Sequence, residues 1–167
     1  MGEEGYFGPD ERVELIEGVI TRLSPQNKKH AALTTHLTMV CTDLFRSSHV
    51  VRVQLPLDLG NSQPEPDLAI VTIEEEEVCP LHPRSADLLI EVADSSVAFD
   101  RIEKASLYAR YGFPELWIVL VQDRRVEVCR QPIPDPDTPF GFNYAYRVKV
   151  EAGQAIAPLF APTQFVQ

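Results

Sequence analysis

The chain has 167 residues, 44% apolar and 24% charged, which is the composition of a globular protein of one domain's size and not of a disordered, collagen-like or coiled-coil chain. Fifteen basic residues stand against 25 acidic ones, a formal net charge of −10. That balance argues against a general nucleic-acid binder, because such binding rests on neutralising phosphates with Lys and Arg.

The first eleven residues are acidic and lack an apolar segment, so no signal peptide is expected. Gly2 and its successors do not supply the Ser or Thr of a myristoylation signal. Residues 12–23 read as two short strands, VELI and VITRL, around Glu17-Gly18, a tight turn in which Gly supplies positive φ. Ser24-Pro25 ends the hairpin. From Lys28 to Phe45, Leu33, Leu37, Val40 and Leu44 recur at helical spacing. His49 to Leu59 alternates, with Val51, Val53, Leu55 and Leu57 one way and Arg52, Gln54, Pro56 and Asp58 the other, which predicts a half-exposed strand. Gly60 to Pro66 is a loop. Residues 67–73 and 87–93 are short apolar runs of the buried-strand kind. Between them, Glu74 to Pro83 carries four consecutive glutamates and two prolines, so it reads as a solvated loop or a short frayed helix.

Ala98 to Tyr111 predicts a second helix, with Gly112 as its C′ residue and Pro114 blocking continuation. Residues 115–121 and 125–131 are strands flanking a turn, with Trp117 in the core and Arg124-Arg125 in a solvated hairpin. Pro132 to Pro139, with four prolines, is an extended loop. Tyr144 to Val150 is an alternating strand, and Gly153 to Gln167 is weakly patterned. No run of about 18 apolar residues suggests a membrane span. Cys41, Cys79 and Cys129 are odd in number and far apart, which reads as reduced thiols in a cytoplasmic protein. Cys79 and His82 form a lone C-x-x-H without a second pair, so no zinc site is expected. The element order indicates one mixed α/β domain over 1–167, with its core at about 11–131 and a C-terminal strand and tail at 132–167.

Three features carry chemistry. Asp67 stands where an apolar strand begins. Glu91 lies inside the next one. Asp100 and Lys104, four apart, share one face of the following helix, with Tyr108 a turn further on. If the two strands pair antiparallel, Asp67 and Glu91 project from one face, and the helix brings Lys104 near. Two close carboxylates repel, and one takes a proton unless a cation joins them. Mg²⁺ suits such a pair, since it takes one or two carboxylates plus water and phosphate oxygens. A structural reading stays open beside this one: Glu91 pairs with a buried base, and Asp67 only starts its strand.

The strings ERVELIEGVITRLSPQNKKH, QPEPDLAIV, DLLIEVADSS and DRIEKASLYARYGFPELWIVLVQDRRVEVCR, in that order over about residues 11–130, resemble the Uma-type family, bacterial proteins grouped with restriction endonucleases. The resemblance implies the PD-(D/E)XK nuclease fold, a mixed central sheet flanked by helices. It implies that Asp67 is the Asp of the PD motif and that Glu91 is the acid of the second motif. Both would bind Mg²⁺ (or Mn²⁺), with the Val92 carbonyl as a further ligand. The motif lysine should stand at position 93, which is Ala93, and Lys104 matches a position that replaces it. Glu14, in preference to Glu17, matches an accessory acid, and His30, Asp100 and Tyr108 stand behind the ligands. Asp94 occupies a place where the family has a small residue. It either joins the metal shell or hinders phosphate approach.

The implied function is an endonuclease hydrolysing DNA phosphodiester bonds through a metal-bound water, working as a homodimer. The alternative is a catalytically inactive nuclease-fold module that binds protein or nucleic acid, which Ala93 and the acidity favour. A metal-dependent enzyme for a small phosphorylated substrate is a third. The acidity is local, with seven acids against one base between residues 61 and 90. It predicts weak nonspecific affinity for DNA without excluding phosphate chemistry at a metal.

Overall fold

The structure, a computed structural model, describes residues 12–23 and 26–167. The N-terminal stretch weighed against targeting signals, and Ser24-Pro25, lie outside the described residues. Strands β1 (Val13–Ile16) and β2 (Val19–Arg22) form the expected hairpin. Glu17 and Gly18 both take positive φ at its turn, the geometry whose twist matches the flanking strands. The hairpin stands apart from the main sheet. It is tied to the loop before β4 by Gln63 N–H donating to the Leu15 carbonyl (2.7 Å) and Gly18 N–H to that of Asn61 (2.8 Å).

Helix α1 (Lys28–Phe45) is capped by Asn27, whose side-chain oxygen accepts from the backbone of Lys29 and His30. Its buried stripe is Thr34, Leu37, Cys41 and Phe45. Strands β3 (His49–Val53), β4 (Leu68–Thr72), β5 (Leu88–Ala93), β6 (Glu115–Leu120), β7 (Arg125–Pro134) and β8 (Phe142–Glu151) form one six-stranded sheet in chain order. All pairs are antiparallel except β5–β6. A parallel pair needs a crossover. Here it is α3 (Val97–Phe99), a π turn (Asp100–Lys104) and α4 (Ala105–Arg110). One sheet face packs Leu68, Ile70, Leu88, Ile90 and Trp117 with α1. The other packs Ala69, Val71, Leu89, Leu116 and Ile118 with Tyr108 of α4. Covered on both sides, β5 is buried at all six positions, so its one acid, Glu91, is desolvated by topology.

Several boundaries depart from the sequence reading. The strand expected to reach Leu59 stops at Val53, because Gln54 turns to φ 52 and Pro56 cannot donate to a ladder. Leu57 and Leu59 enter the core from the loop instead, and Arg52, expected outside, is buried against Glu76 of α2 (Ile73–Val78). The four glutamates do form that short helix. Thr72 caps it, and Glu74, Glu75 and Glu76 sit at the favourable end of its dipole. Pro132 and Pro134 belong to β7 rather than to a loop. Pairing with β6 ends at Arg130, so beyond it one edge of β7 is free and a missing N–H costs nothing. The predicted second helix is interrupted by the π turn that carries Asp100 and Lys104. Among the described residues no helix is long and apolar enough to cross a membrane. All three cysteines are free thiols, Cys41 and Cys129 buried and Cys79 partly so.

Candidate active site

The β4–β5 register pairs Leu68 with Ile90. One residue further along, Asp67 lies opposite Glu91, so both side chains leave the α4 face where the two strands part. Both line one cleft with His30, Lys104, Asp94 and Asp100. Asp67 is held by three donors. Its Oδ2 accepts from His30 Nε2 (3.0 Å) and Val92 N–H (2.8 Å), and its Oδ1 accepts from Gln54 Nε2 (3.1 Å). Burial pushes its carboxyl up, but His30 and the Val92 N–H outweigh that and hold it below the ordinary value.

Glu91 is in the opposite state. Its Oε1 accepts from Lys104 Nζ (3.0 Å) and Tyr108 Oη (2.7 Å). Burial lifts its carboxyl well above the ordinary range. Lys104 pulls against this, while Asp100, Asp67 and Glu14 add to it. Lys104 Nζ also lies 2.9 Å from Glu14 Oε1, an oxygen that accepts the Glu65 N–H. Burial pushes the ammonium down, but Glu91, Glu14 and Asp100 more than reverse this and keep it charged. The π turn preserves the four-residue spacing on one face, so Asp100, Lys104 and Tyr108 are all buried. Asp100 accepts from Ser96 Oγ at 2.5 Å, and burial raises its carboxyl.

The Glu14 and Glu17 alternatives separate cleanly. Glu14 meets Lys104, whereas Glu17 accepts from Tyr111 Oη and Ser62 Oγ and lies 3.4 Å from Arg110, fastening the hairpin to the far end of α4. Asp94 is at the rim, where hydrogen bonds from Asn27 and Gln122 hold its carboxyl low. Ala93 points into the core. The Ala93 carbonyl accepts from Val121 toward β6. Val92, one residue back, therefore turns its N–H and carbonyl to the other edge, beside Asp67. Cys79 and His82 contact Glu76 and Arg52.

Sequence reasoning missed Gln54, whose positive φ turns it onto Asp67; Pro56 two residues on was the available signal. It also missed Arg12, which lines the same cleft beside Glu65, an acid the sequence already placed next to the site.

Among the described residues no group of three or more His, Cys, Asp or Glu side chains is arranged to hold a metal ion. Mg²⁺ needs no such group, because it binds through one or two carboxylates and keeps water and phosphate for the rest. Two carboxylates on facing strands and a main-chain carbonyl directed to the same edge are hard oxygen donors that fit it.

The family model Uma2, described as "Putative restriction endonuclease", matches residues 3–145. A crystal structure of "a putative nuclease belonging to DUF820" from Anabaena variabilis ATCC 29413 matches with a TM-score of 0.69 at 17% identity, covering 92% of this chain and 86% of that one. At that identity the likeness speaks for the fold alone. No curated protein matches.

Proposed function

The chain belongs to the Uma2 family of restriction-endonuclease-like proteins, and from that premise we propose that it is a Mg²⁺-dependent nuclease that hydrolyses DNA phosphodiester bonds at the Asp67–Glu91 cleft. The observation that carries this reading is the placement of two buried carboxylates opposite each other, one just before β4 and one on β5, with a buried ammonium against one of them.

Hydrolysis forms a bond from water oxygen to phosphorus and breaks the bond to one ester oxygen, which leaves and takes up a proton. A bound Mg²⁺ supplies Lewis-acid polarisation of the phosphoryl group and a water of lowered pKa. The protein's own groups prepare the place. His30 and the Val92 N–H keep Asp67 ionised and fix its orientation. Lys104 pairs with both Glu91 and Glu14 and offsets part of the negative charge that an approaching phosphoryl group meets. Tyr108 fixes Glu91 from behind. Lys104 thereby stands in for the lysine that Ala93 replaces in the motif.

The test is cleavage of plasmid, linear and branched DNA by purified protein with Mg²⁺ or Mn²⁺. Asp67→Asn is expected to lower the rate on the order of 10²–10³-fold. A wild type that cuts none of these, or cuts no faster than Asp67→Asn, overturns the reading. Ala93 favours a second reading, a nuclease fold kept as a binding module. That reading expects no divalent-cation affinity that Glu91→Gln removes.

A further inference from the structure

Among the described residues, a nucleic-acid strand entering this cleft meets five carboxylates: Glu65, Asp67, Glu91, Asp94 and Asp100. Strand phosphates need a positive group that can turn toward them. Among the described residues, two side chains of permanent positive charge line the cleft, Lys104 and Arg12. Lys104 is only 4% exposed, and its ammonium lies between Glu14 and Glu91 at 2.9 and 3.0 Å. Its charge is already matched. His30 is committed to Asp67.

Arg12 differs on each count. Its side chain is 33% exposed, and its ion pair, with Glu65, is 3.7 Å long, beyond hydrogen-bond distance. A guanidinium has five N–H donors in a planar fork that matches phosphate oxygens. Its position is fixed by the backbone. The Leu23 N–H donates to the Arg12 carbonyl at the open end of the hairpin (3.0 Å), and Glu14, two residues on, accepts the Glu65 N–H (2.9 Å). Glu65 lies two residues before Asp67, so the hairpin holds Arg12 beside the segment that leads into the site. This also gives the detached β1–β2 hairpin a task beyond supplying Glu14.

We propose that Arg12 is the phosphate anchor of the cleft: its guanidinium leaves Glu65 and grips a backbone phosphate of the bound nucleic-acid strand, setting the register in which the strand meets Asp67 and Glu91. The proposal rests on the nuclease reading for the identity of the ligand. Glu65 is the internal competitor for the same guanidinium, so removing the two partners changes affinity in opposite directions.

The experiment measures binding of labelled duplex and single-stranded DNA with Ca²⁺ in place of Mg²⁺, over about 50 to 200 mM salt. Arg12→Ala is expected to weaken binding about tenfold and to lower the slope of log affinity against log salt by about 0.9 on duplex and about 0.7 on single strands. Arg12→Lys falls between, since it keeps the charge and loses the fork. Glu65→Gln tightens binding. In cleavage with Mg²⁺, Arg12→Ala raises KM more than it lowers kcat. A folded Arg12→Ala protein with unchanged slope overturns the proposal, as does a Glu65→Gln protein that binds as weakly as Arg12→Ala. A wild type that binds without cutting overturns the nuclease reading alone, and the slope then decides Arg12. A wild type that binds no strand overturns both.

Discussion

Glu91 on β5 and Glu115 on β6 belong to the two strands of the parallel pair, where Glu91 sits opposite Ile118, and both are buried, at 2% and 0% exposure. Glu115 is met at both oxygens. Its Oε1 accepts from Trp117 Nε1 (2.7 Å) and Arg130 Nε (2.8 Å), and its Oε2 accepts from the Leu159 N–H (2.7 Å). These bonds pin the C-terminal segment to the sheet. Glu91 directs both its donors, Lys104 and Tyr108, to one oxygen, and three further acids act on it. Burial of an acid therefore does not mark a site. What marks it is a crowd of acids served by too few donors, at the mouth of a cleft where a cation and a phosphate can supply what the protein withholds.

The largest effects should fall on opposite observables. Glu91→Gln is expected to lower cleavage on the order of 10²–10³-fold, with unfolding free energy within about 1 kcal/mol of wild type, because Lys104 keeps Glu14. Glu115→Ala is expected to leave the cleavage rate per folded molecule intact. It should cost about 3 kcal/mol of stability, since the buried Trp117 N–H, the Leu159 N–H and a guanidinium lose their acceptor. On a chain of this length that lowers Tm by about 6–12 °C. Denaturant titration beside a cleavage assay separates the two. A Glu91→Gln protein that melts early but still cuts would break the distinction.

Much of this contrast was legible in the sequence. The Asp67–Glu91 juxtaposition followed from two short apolar runs and the assumption of antiparallel pairing, which the register bears out. Lys104 and Tyr108 followed from spacing on one helical face. What was not legible depends on tertiary closure. Alternation put Arg52 outside because period two knows nothing of α2 folding back over it. Nothing local to β1 says that Arg12 faces Glu65, 53 positions away. The π turn left no periodic trace, since four-residue spacing fits it as well as an α-helix. Glu115 shows the reverse limit: in sequence it is an acid at the start of an apolar strand, as Asp67 is.

The two site carboxylates should also pull stability in opposite directions with pH. Glu91, raised when folded, binds a proton that the unfolded chain releases above the ordinary value of 4.5, so its contribution to stability falls as pH climbs toward the folded value. Asp67 is held below its ordinary 3.8, so its contribution is present at neutral pH and is lost as pH falls through the folded value. In chelator, Glu91→Gln is expected to flatten the decline on the higher-pH side, and Asp67→Asn to flatten the acid limb. Parallel profiles for wild type and Glu91→Gln between about pH 5 and 8 would show that the Glu91 carboxyl is not raised in the folded protein.

The smallest effect comes from the single donors behind each acid. Tyr108 Oη donates to Glu91 and Trp117 Nε1 to Glu115, both at 2.7 Å. Tyr108→Phe removes one hydroxyl from a buried ring with almost no loss of volume, and Glu91 keeps Lys104, so the stability cost should be about 1 kcal/mol. Its chemical effect is the more telling one. The lost hydrogen bond favoured ionised Glu91, so its carboxyl rises further and the acid limb of the cleavage profile moves to higher pH. Trp117→Phe loses its donor and part of a core side chain, and so costs more stability. Glu115 still keeps Arg130 and the Leu159 N–H and takes no part at the cleft, so the cleavage profile should stay where it is. A profile that shifted equally in both variants would mean that the two buried acids are electrostatically one site.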